Sequence, residues 1–275
     1  MGPIGTSIRL RLILGCQAPA NPRQTIDCYN NYVFLWQNRQ EKSIKNVDSL
    51  ITPDDSKISW SDGLKFGIMR SESIDFDSTK IRCSLYRPFT SAFLYFDQLL
   101  NERRYQFSKI FPTESVEKEN QVICVVNEAQ ISFSAQITAF IPCLHYGGRQ
   151  TQCFSFYTYS EDGTSRRENI TDWALEQFQT QYKDSKITKW DIFHYTYALL
   201  HHPHYRDRYA ANLKRELPRI PFAPEFHPFA IAGKRLTEIH INYEQQPEYR
   251  LKHIENKDLP IDWRVEKMRL SKDKT

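Results

Sequence analysis

The sequence predicts an α+β protein: a mainly antiparallel sheet over about 80–160 packed with a four-helix block over about 168–243. Two patterns and one composition carry the prediction. Between Ile81 and Tyr159 short segments alternate apolar and polar side chains with period two, or run apolar and β-branched, as strands do. From Ile170 onward the apolar residues recur at helical spacing. Aromatic residues make up 13% of the chain, with 17 Phe, 15 Tyr and 5 Trp, enough to fill a substantial core around both.

The 275 residues suffice for one large or two modest domains. Residues 1–47 form an N-terminal segment without a clear period. Tyr32–Trp36 is an apolar run that fits either a strand or a helix end, and the neighbouring sequence offers no evident surface to cover it. Asp48 to Ser78 reads as polar turns, including Thr52-Pro53-Asp54-Asp55 and Ser61-Asp62-Gly63. Ile81–Tyr86, the turn Arg87–Ser91 and Ala92–Phe96 read as a hairpin or tight strand pair. Gln121–Val126 is a buried strand by its β-branched content, Ile131–Ile137 a half-buried one by its alternation, and Gln152–Tyr159 a further strand.

In the helical block, Asn169 or Thr171 suits the cap of a first helix whose stripe is Ile170, Ala174, Phe178 and Tyr182. Thr188 with Asp191 resembles a capping box opening a helix that is apolar on nearly every side, Ile192–Leu200. Pro203 suits the first turn of a third helix, and Pro218 and Pro221 end it. Phe226, Phe229, Ala230, Gly233, Leu236 and His240 recur along a fourth, where Gly233 allows close packing. After Tyr243 the chain turns polar.

Several chemistries are not signalled. Neither a G-x-S-x-G elbow, a dinucleotide fingerprint nor a P-loop is present, so no catalysis is expected of this chain alone. His194, His201, His202 and His204 cluster, but no further ligand has metal-site spacing, and imidazoles packing at a helix end explain them. No metal or cofactor is expected. The six cysteines are scattered without a CxxC pair, which points to a reducing compartment, hence a cytoplasmic protein. Ile13–Cys16 mimics a lipoprotein box, but Arg9 and Arg11 interrupt its apolar region, and no run is long enough to span a membrane.

The basic residues say more. Arg82, Arg87, Arg103, Arg104 and Lys109 face only Asp97 and Glu102 in their stretch. Arg206, Arg208, Lys214, Arg215 and Arg219 face only Asp207 and Glu216 in theirs. Arg208 and Arg215, seven apart, would share a helix face. A solvated helix carries such charges without any partner, and a phosphate backbone would attract them equally. Phe154, Phe156, Tyr157 and Tyr159 suit either base stacking or sheet packing.

A set of longer motifs goes further: Leu85–Phe89, Leu94–Asp97, Leu100–Pro112, Tyr157–Tyr159, Arg167–Thr171, Asp191–Phe193, Leu199–Pro203 and Tyr209–Pro221. In this order they resemble the C-terminal specificity domain of the type ISP restriction–modification enzymes over roughly Ser78 to Thr275. In that family one polypeptide carries a nuclease, a translocating ATPase, an adenine methyltransferase and a target recognition domain. This chain has none of the ATPase or methyltransferase motifs, so the resemblance implies a detached or truncated recognition domain over 48–275. Its parts are a sheet part (78–160), a helical part (166–243) and a polar tail (244–275).

The implied function is sequence-specific binding of double-stranded DNA, directing methyltransferase and nuclease activity carried elsewhere. The expected DNA contacts are Arg87, Arg103, Arg104, Arg149, Arg166, Arg167, Lys214 and Arg215, although Arg87, Arg103 and Arg215 equally suit buried ion pairs. A separately encoded methyltransferase/helicase–nuclease subunit is a second expected partner. A protein-docking module, or a non-functional remnant of such a gene, is the alternative.

Overall fold

The computed structural model describes residues 10–11, 22–52, 58, 60–101, 104–126, 132–143, 151–160, 162–248 and 250. The first described strand is β1 (Leu10–Arg11), parallel to β3. Helix α1 (Pro22–Gln37) follows, then α2 (Asp62–Met69), the hairpin β2 (Ile81–Arg87) and β3 (Thr90–Tyr95), and two short helices, α3 (Phe107–Ile110) and α4 (Glu114–Glu117). The strands β4 (Val122–Val126), β5 (Ser134–Thr138), β6 (Ile141–Pro142), β7 (Gln152–Ser155), β8 (Tyr157–Tyr159) and β9 (Arg166–Glu168) come next. Five helices complete the described fold: α5 (Asp172–Tyr182), α6 (Lys189–His201), α7 (Pro203–Arg208), α8 (Ala210–Leu213) and α9 (His227–Ile241). Glu244–Thr275 is a separate unit. None of the described helices is long and apolar enough to cross a membrane.

The α+β class holds, with the strand segment divided. It forms three small sheets, ordered β1-β3-β2-β6, β5-β4-β7 and β8-β9. The last two are antiparallel throughout, whereas β2 pairs antiparallel with β3 and parallel with β6. Strand β4 explains the layering. All five of its residues are buried, because both faces are covered. Val122 and Cys124 join a cluster with Leu85, Leu94, Phe96 and Phe111, while Ile123 and Val125 join the helical core around Phe156, Phe193 and Tyr197. A strand covered on both faces reads as a continuous β-branched run rather than an alternating one.

Tyr32–Trp36 lies within α1, and the surface that covers it comes from the stretch read as polar turns. Tyr29 and Val33 pack with Val47, Ile58, Leu64, Ile68 and Ile74, so that stretch holds a helix and a small core. Ser61 is not a turn residue but the cap of α2, its side chain accepting from Leu64 N at 3.3 Å.

The helical block follows the expected punctuation. Thr171, not Asn169, caps α5. Thr188 and Asp191 form the reciprocal capping box of α6, with Thr188 N donating to Asp191 Oδ2 at 2.9 Å and Asp191 N to Thr188 Oγ1 at 3.2 Å. Gly233 seats α9 directly against the backbone of α6: a Cβ there would lie 2.6 Å from the His194 carbonyl carbon. The third helix is broken. Tyr209 leaves helical geometry (φ −105°, ψ 16°) between α7 and α8, so Arg208 and Arg215 do not lie on one continuous helix. The extended stretch after α8 is tied down by tyrosine hydroxyls. Tyr205 donates to Arg219 O at 2.8 Å and Tyr195 to Pro221 O at 2.7 Å, and Tyr182 donates to Ala223 O at 2.7 Å.

Candidate nucleic-acid interface

One polar groove collects chemistry from distant parts of the chain. It has a volume of about 730 Å³; Gln106 and Lys109 line it from one side, Cys153, Ser155 and Asn169 from another, and Thr158, Ser165 and Arg167 from the β8-β9 ribbon. Its walls are held by a single buried amide. Asn120 is fully buried, and its Nδ2 donates to Ile110 O at 2.9 Å and Tyr157 O at 3.0 Å. Its Oδ1 accepts from Tyr157 N at 3.0 Å, so α3 and β8 are fixed to one another through one residue. A buried amide with its partners in place fixes geometry, because any other arrangement strands polar groups away from water.

The ribbon's loop is equally defined. The Asp162 carboxylate accepts from the Ser160 hydroxyl, from Thr164 N at 3.0 Å and from Thr164 Oγ1 at 2.8 Å. These donors lower its pKa to about 2, so the carboxylate is ionised throughout the physiological range. Gly163 takes the positive φ (76°) that the tight loop requires.

That ribbon separates its two arginines by strand alternation. Arg167 pairs in register with Thr158, and both line the groove. Among the described residues Arg167 has no ion-pair partner. Arg166 turns the other way, its guanidinium 4.5 Å from the centroid of Tyr157 and 2.8 Å from Glu119. That pair is exposed on both sides, so it remains open to exchange for another anion.

The other expected contact residues are dispersed. Arg87 stacks on its neighbour Tyr86 at 4.1 Å and donates to Tyr86 O at 2.9 Å and Cys143 Sγ at 3.6 Å, with no carboxylate beside it among the described residues. Arg104 is half-buried, 5.4 Å from the Phe96 ring centroid. Lys214 and Arg215 are exposed just beyond α8, without an ion-pair partner among the described residues, and do not line the groove. Arg103 and Arg149 lie outside the described residues. Arg82, counted in the first basic stretch, is committed to the fold: it is buried with Glu117 in an ion pair. Burial raises the Glu117 pKa and the Arg82 guanidinium opposes the rise.

The aromatic strand residues divide as well. Phe156 is fully buried and stacks on Trp190, and Tyr159 is 6% exposed, its hydroxyl pKa raised by burial, while Phe154 is 40% exposed. Sequence reasoning did not single out Gln106, Lys109 or Asn169 as groove residues. Lys109 sat in the first basic stretch, and Asn169 read as a helix cap. It instead donates to Ser155 O at 3.1 Å and faces the groove. Among the described residues no group of three His, Cys, Asp or Glu is placed to hold a metal ion.

No curated protein matches the chain by sequence. Solved structures do. The chain is similar to one in the cryo-EM structure of a DrdV–DNA complex, at 38% identity and TM-score 0.72, over 84% of this chain and 22% of that one. It is also similar to a nuclease-deletion mutant of the Type ISP restriction–modification enzyme LlaGI in complex with a DNA substrate mimic. That match has 31% identity and TM-score 0.67, over 83% of this chain and 20% of that one. The ATP-dependent Type ISP enzyme LlaBIII bound to DNA shares the fold at 24% identity and TM-score 0.67, over 83% of this chain and 14% of its own. The chain thus spans less than a quarter of each of these proteins. The family model for the Type ISP C-terminal specificity domain matches residues 20–275, reaching back through α2 and α1 beyond the resemblance seen in the sequence from about Ser78, and the chain belongs to that family.

Proposed function

We propose that this chain reads a sequence in double-stranded DNA as the target recognition module of a restriction–modification system. Methyl transfer, translocation and cleavage would be carried by other domains or subunits. The observation that supports this most is the groove: two cations, Arg167 and Lys109, stand beside two amides, Gln106 and Asn169, on walls locked by Asn120. These are the side-chain types that discriminate bases in the major groove. Arg and Lys suit guanine O6 and N7, and Gln and Asn suit adenine N6 and N7.

In this reading Arg167, Lys109, Gln106 and Asn169 approach base edges. Arg103, Arg104, Arg149, Arg166, Lys214 and Arg215 supply phosphate contacts that set register without reading sequence. Arg87, held on Tyr86 and Cys143, ties the end of β2 to the chain just after β6 and contacts DNA only at its rim.

Selection from a randomised duplex pool tests the proposal. The purified chain should enrich one non-palindromic motif, and Arg167→Ala should relax preference at one position of it. Enrichment of no motif, by protein whose circular dichroism shows it folded, would refute independent reading. The docking alternative draws support from the exposed Phe34 and Phe66 on α1 and α2. It predicts enrichment only after a methyltransferase–helicase subunit is added.

A further inference from the structure

Two thiols face each other across the central sheet. Cys124 on β4 and Cys153 on β7 are direct partners in the antiparallel register, and their Sγ atoms lie 3.7 Å apart. Cys124 and Cys153 are both free of any disulfide. Directly opposed residues of an antiparallel pair have Cα separations of roughly 4.5–5.5 Å, inside the range that a disulfide spans. The sulfurs need close by only about 1.7 Å to reach bonding distance. We propose that Cys124 and Cys153 form an oxidisable dithiol that hydroperoxides convert to a cross-strand disulfide.

The two cysteines are placed for different roles. Cys153 is half-buried and lines the polar groove, so an oxidant reaches it from solvent. Cys124 is 2% exposed on the central strand, and small molecules do not reach it directly. Its hydrogen bond with Cys153, together with burial, raises its pKa well above the ordinary thiol range. Accessibility therefore makes Cys153 the thiol that reacts first, and the 3.7 Å separation makes Cys124 the one that resolves it once its proton passes to the departing oxygen.

The chemistry balances with one peroxide. The Cys153 sulfur attacks a peroxide oxygen; an S–O bond forms, the O–O bond breaks, and the other oxygen leaves with the Cys153 proton, as water from hydrogen peroxide or as an alcohol from an alkyl hydroperoxide. The Cys124 sulfur then attacks the Cys153 sulfur. The S–S bond forms, the S–O bond breaks, and the sulfenic oxygen departs as water with the Cys124 proton. The two thiols supply two electrons and the peroxide accepts them. The product ties β7, an edge strand and part of the groove wall, to the central strand.

Cys143 is the competing partner, since it shares a neighbouring depression with Cys153. It is buried, and its sulfur accepts from Arg87 at 3.6 Å. No backbone register opposes it to Cys153.

The experiment uses the full chain, reduced, freed of reductant and treated with hydrogen peroxide. Non-reducing proteolysis and mass spectrometry then map the links. The expected product is a peptide pair joined through residues 124 and 153, with two of the six thiols lost and both restored by dithiothreitol. Cys143→Ser should leave that product unchanged. In Cys124→Ser, Cys153 should pass on to sulfinic acid for want of a resolving thiol. A link from Cys153 to Cys143, a link between two chains, or sulfinic acid at Cys153 in the unaltered protein would each overturn the proposal. The readout is thiol chemistry alone, so it stands or falls separately from DNA binding.

Discussion

Gly233→Ala should destabilise the protein, against the usual effect of that change in a helix. Alanine in a helix interior is ordinarily favoured over glycine by about 1 kcal/mol. Here the added Cβ would lie 2.6 Å from the carbonyl carbon of His194, nearer still to its oxygen, and 3.2 Å from the Ala198 Cβ. The first two neighbours are backbone of α6 and have no rotamer to change. Contact at roughly 3.5 Å therefore requires α9 to move away by at least about 1 Å. A gap of that size forfeits about a quarter to a half of each van der Waals contact along the seam.

Ala230, buried on α9, and Tyr195 and Tyr197, buried on α6, belong to the core packed along that seam. Overpacking of this kind costs about 1–3 kcal/mol, and the immovable backbone places Gly233 at the upper end. Net of the propensity gain, the expected loss is about 2 kcal/mol. Urea unfolding followed by circular dichroism measures it, with Ile231→Ala as the control. Ile231 is 69% exposed on the same helix, and its change should stay within about 0.5 kcal/mol. A gain in stability for Gly233→Ala would refute the packing of α9 on α6 through this position.

Two further outcomes follow from buried polar groups. Glu117→Gln strands the buried Arg82 charge and should cost about 3–5 kcal/mol, whereas Arg82→Met with Glu117→Leu should recover most of it, both measured by urea unfolding. Burial, aided by the charges of Arg206 and His240, pushes the His201 pKa down from 6.5 to about 4, and its buried Nε2 has no hydrogen-bond partner among the described residues. The folded protein thus holds this ring neutral while the unfolded chain protonates it, so its contribution is present above pH 6.5 and is lost as the pH falls through about 4. Thermal unfolding between pH 7 and pH 4 should fall less steeply in His201→Phe than in the unaltered protein; parallel profiles would exclude the histidine as a source of the slope.

What was legible in the sequence was local. The capping box of Thr188 and Asp191 and the close approach at Gly233 each involve signals that neighbouring residues or one small side chain announce. Strand β4 was legible because burial on both faces leaves a continuous β-branched run. The Tyr32–Trp36 run was ambiguous because five apolar residues have no period, and its cover came from α2, an eight-residue helix hidden among polar turn signals. The break at Tyr209 was missed because no proline or glycine marks it.

The division into three sheets depends on which strands pair across long separations, and residue pattern does not encode that directly. The groove was hidden for the same reason. Gln106 and Lys109 meet Arg167 and Asn169 only because Asn120 bridges α3 and β8. The sequence revealed cations but not their commitments: Arg82, from the first basic stretch, went to Glu117, and of the two ribbon arginines Arg166 went to Glu119 while Arg167 remained for the groove.

The central claim is that the Arg167 groove is where duplex DNA is held. The most direct measurement is the salt dependence of duplex binding by the unaltered chain and by Arg167→Ala. The affinity should fall linearly on a log–log plot, with a slope of about −0.9 per phosphate neutralised. Arg167→Ala should weaken binding and relax preference at one base position while leaving that slope unchanged, because Arg167 reads a base edge rather than a phosphate. An affinity that ignores salt, or a folded Arg167→Ala variant that binds and discriminates like the unaltered protein, would contradict it.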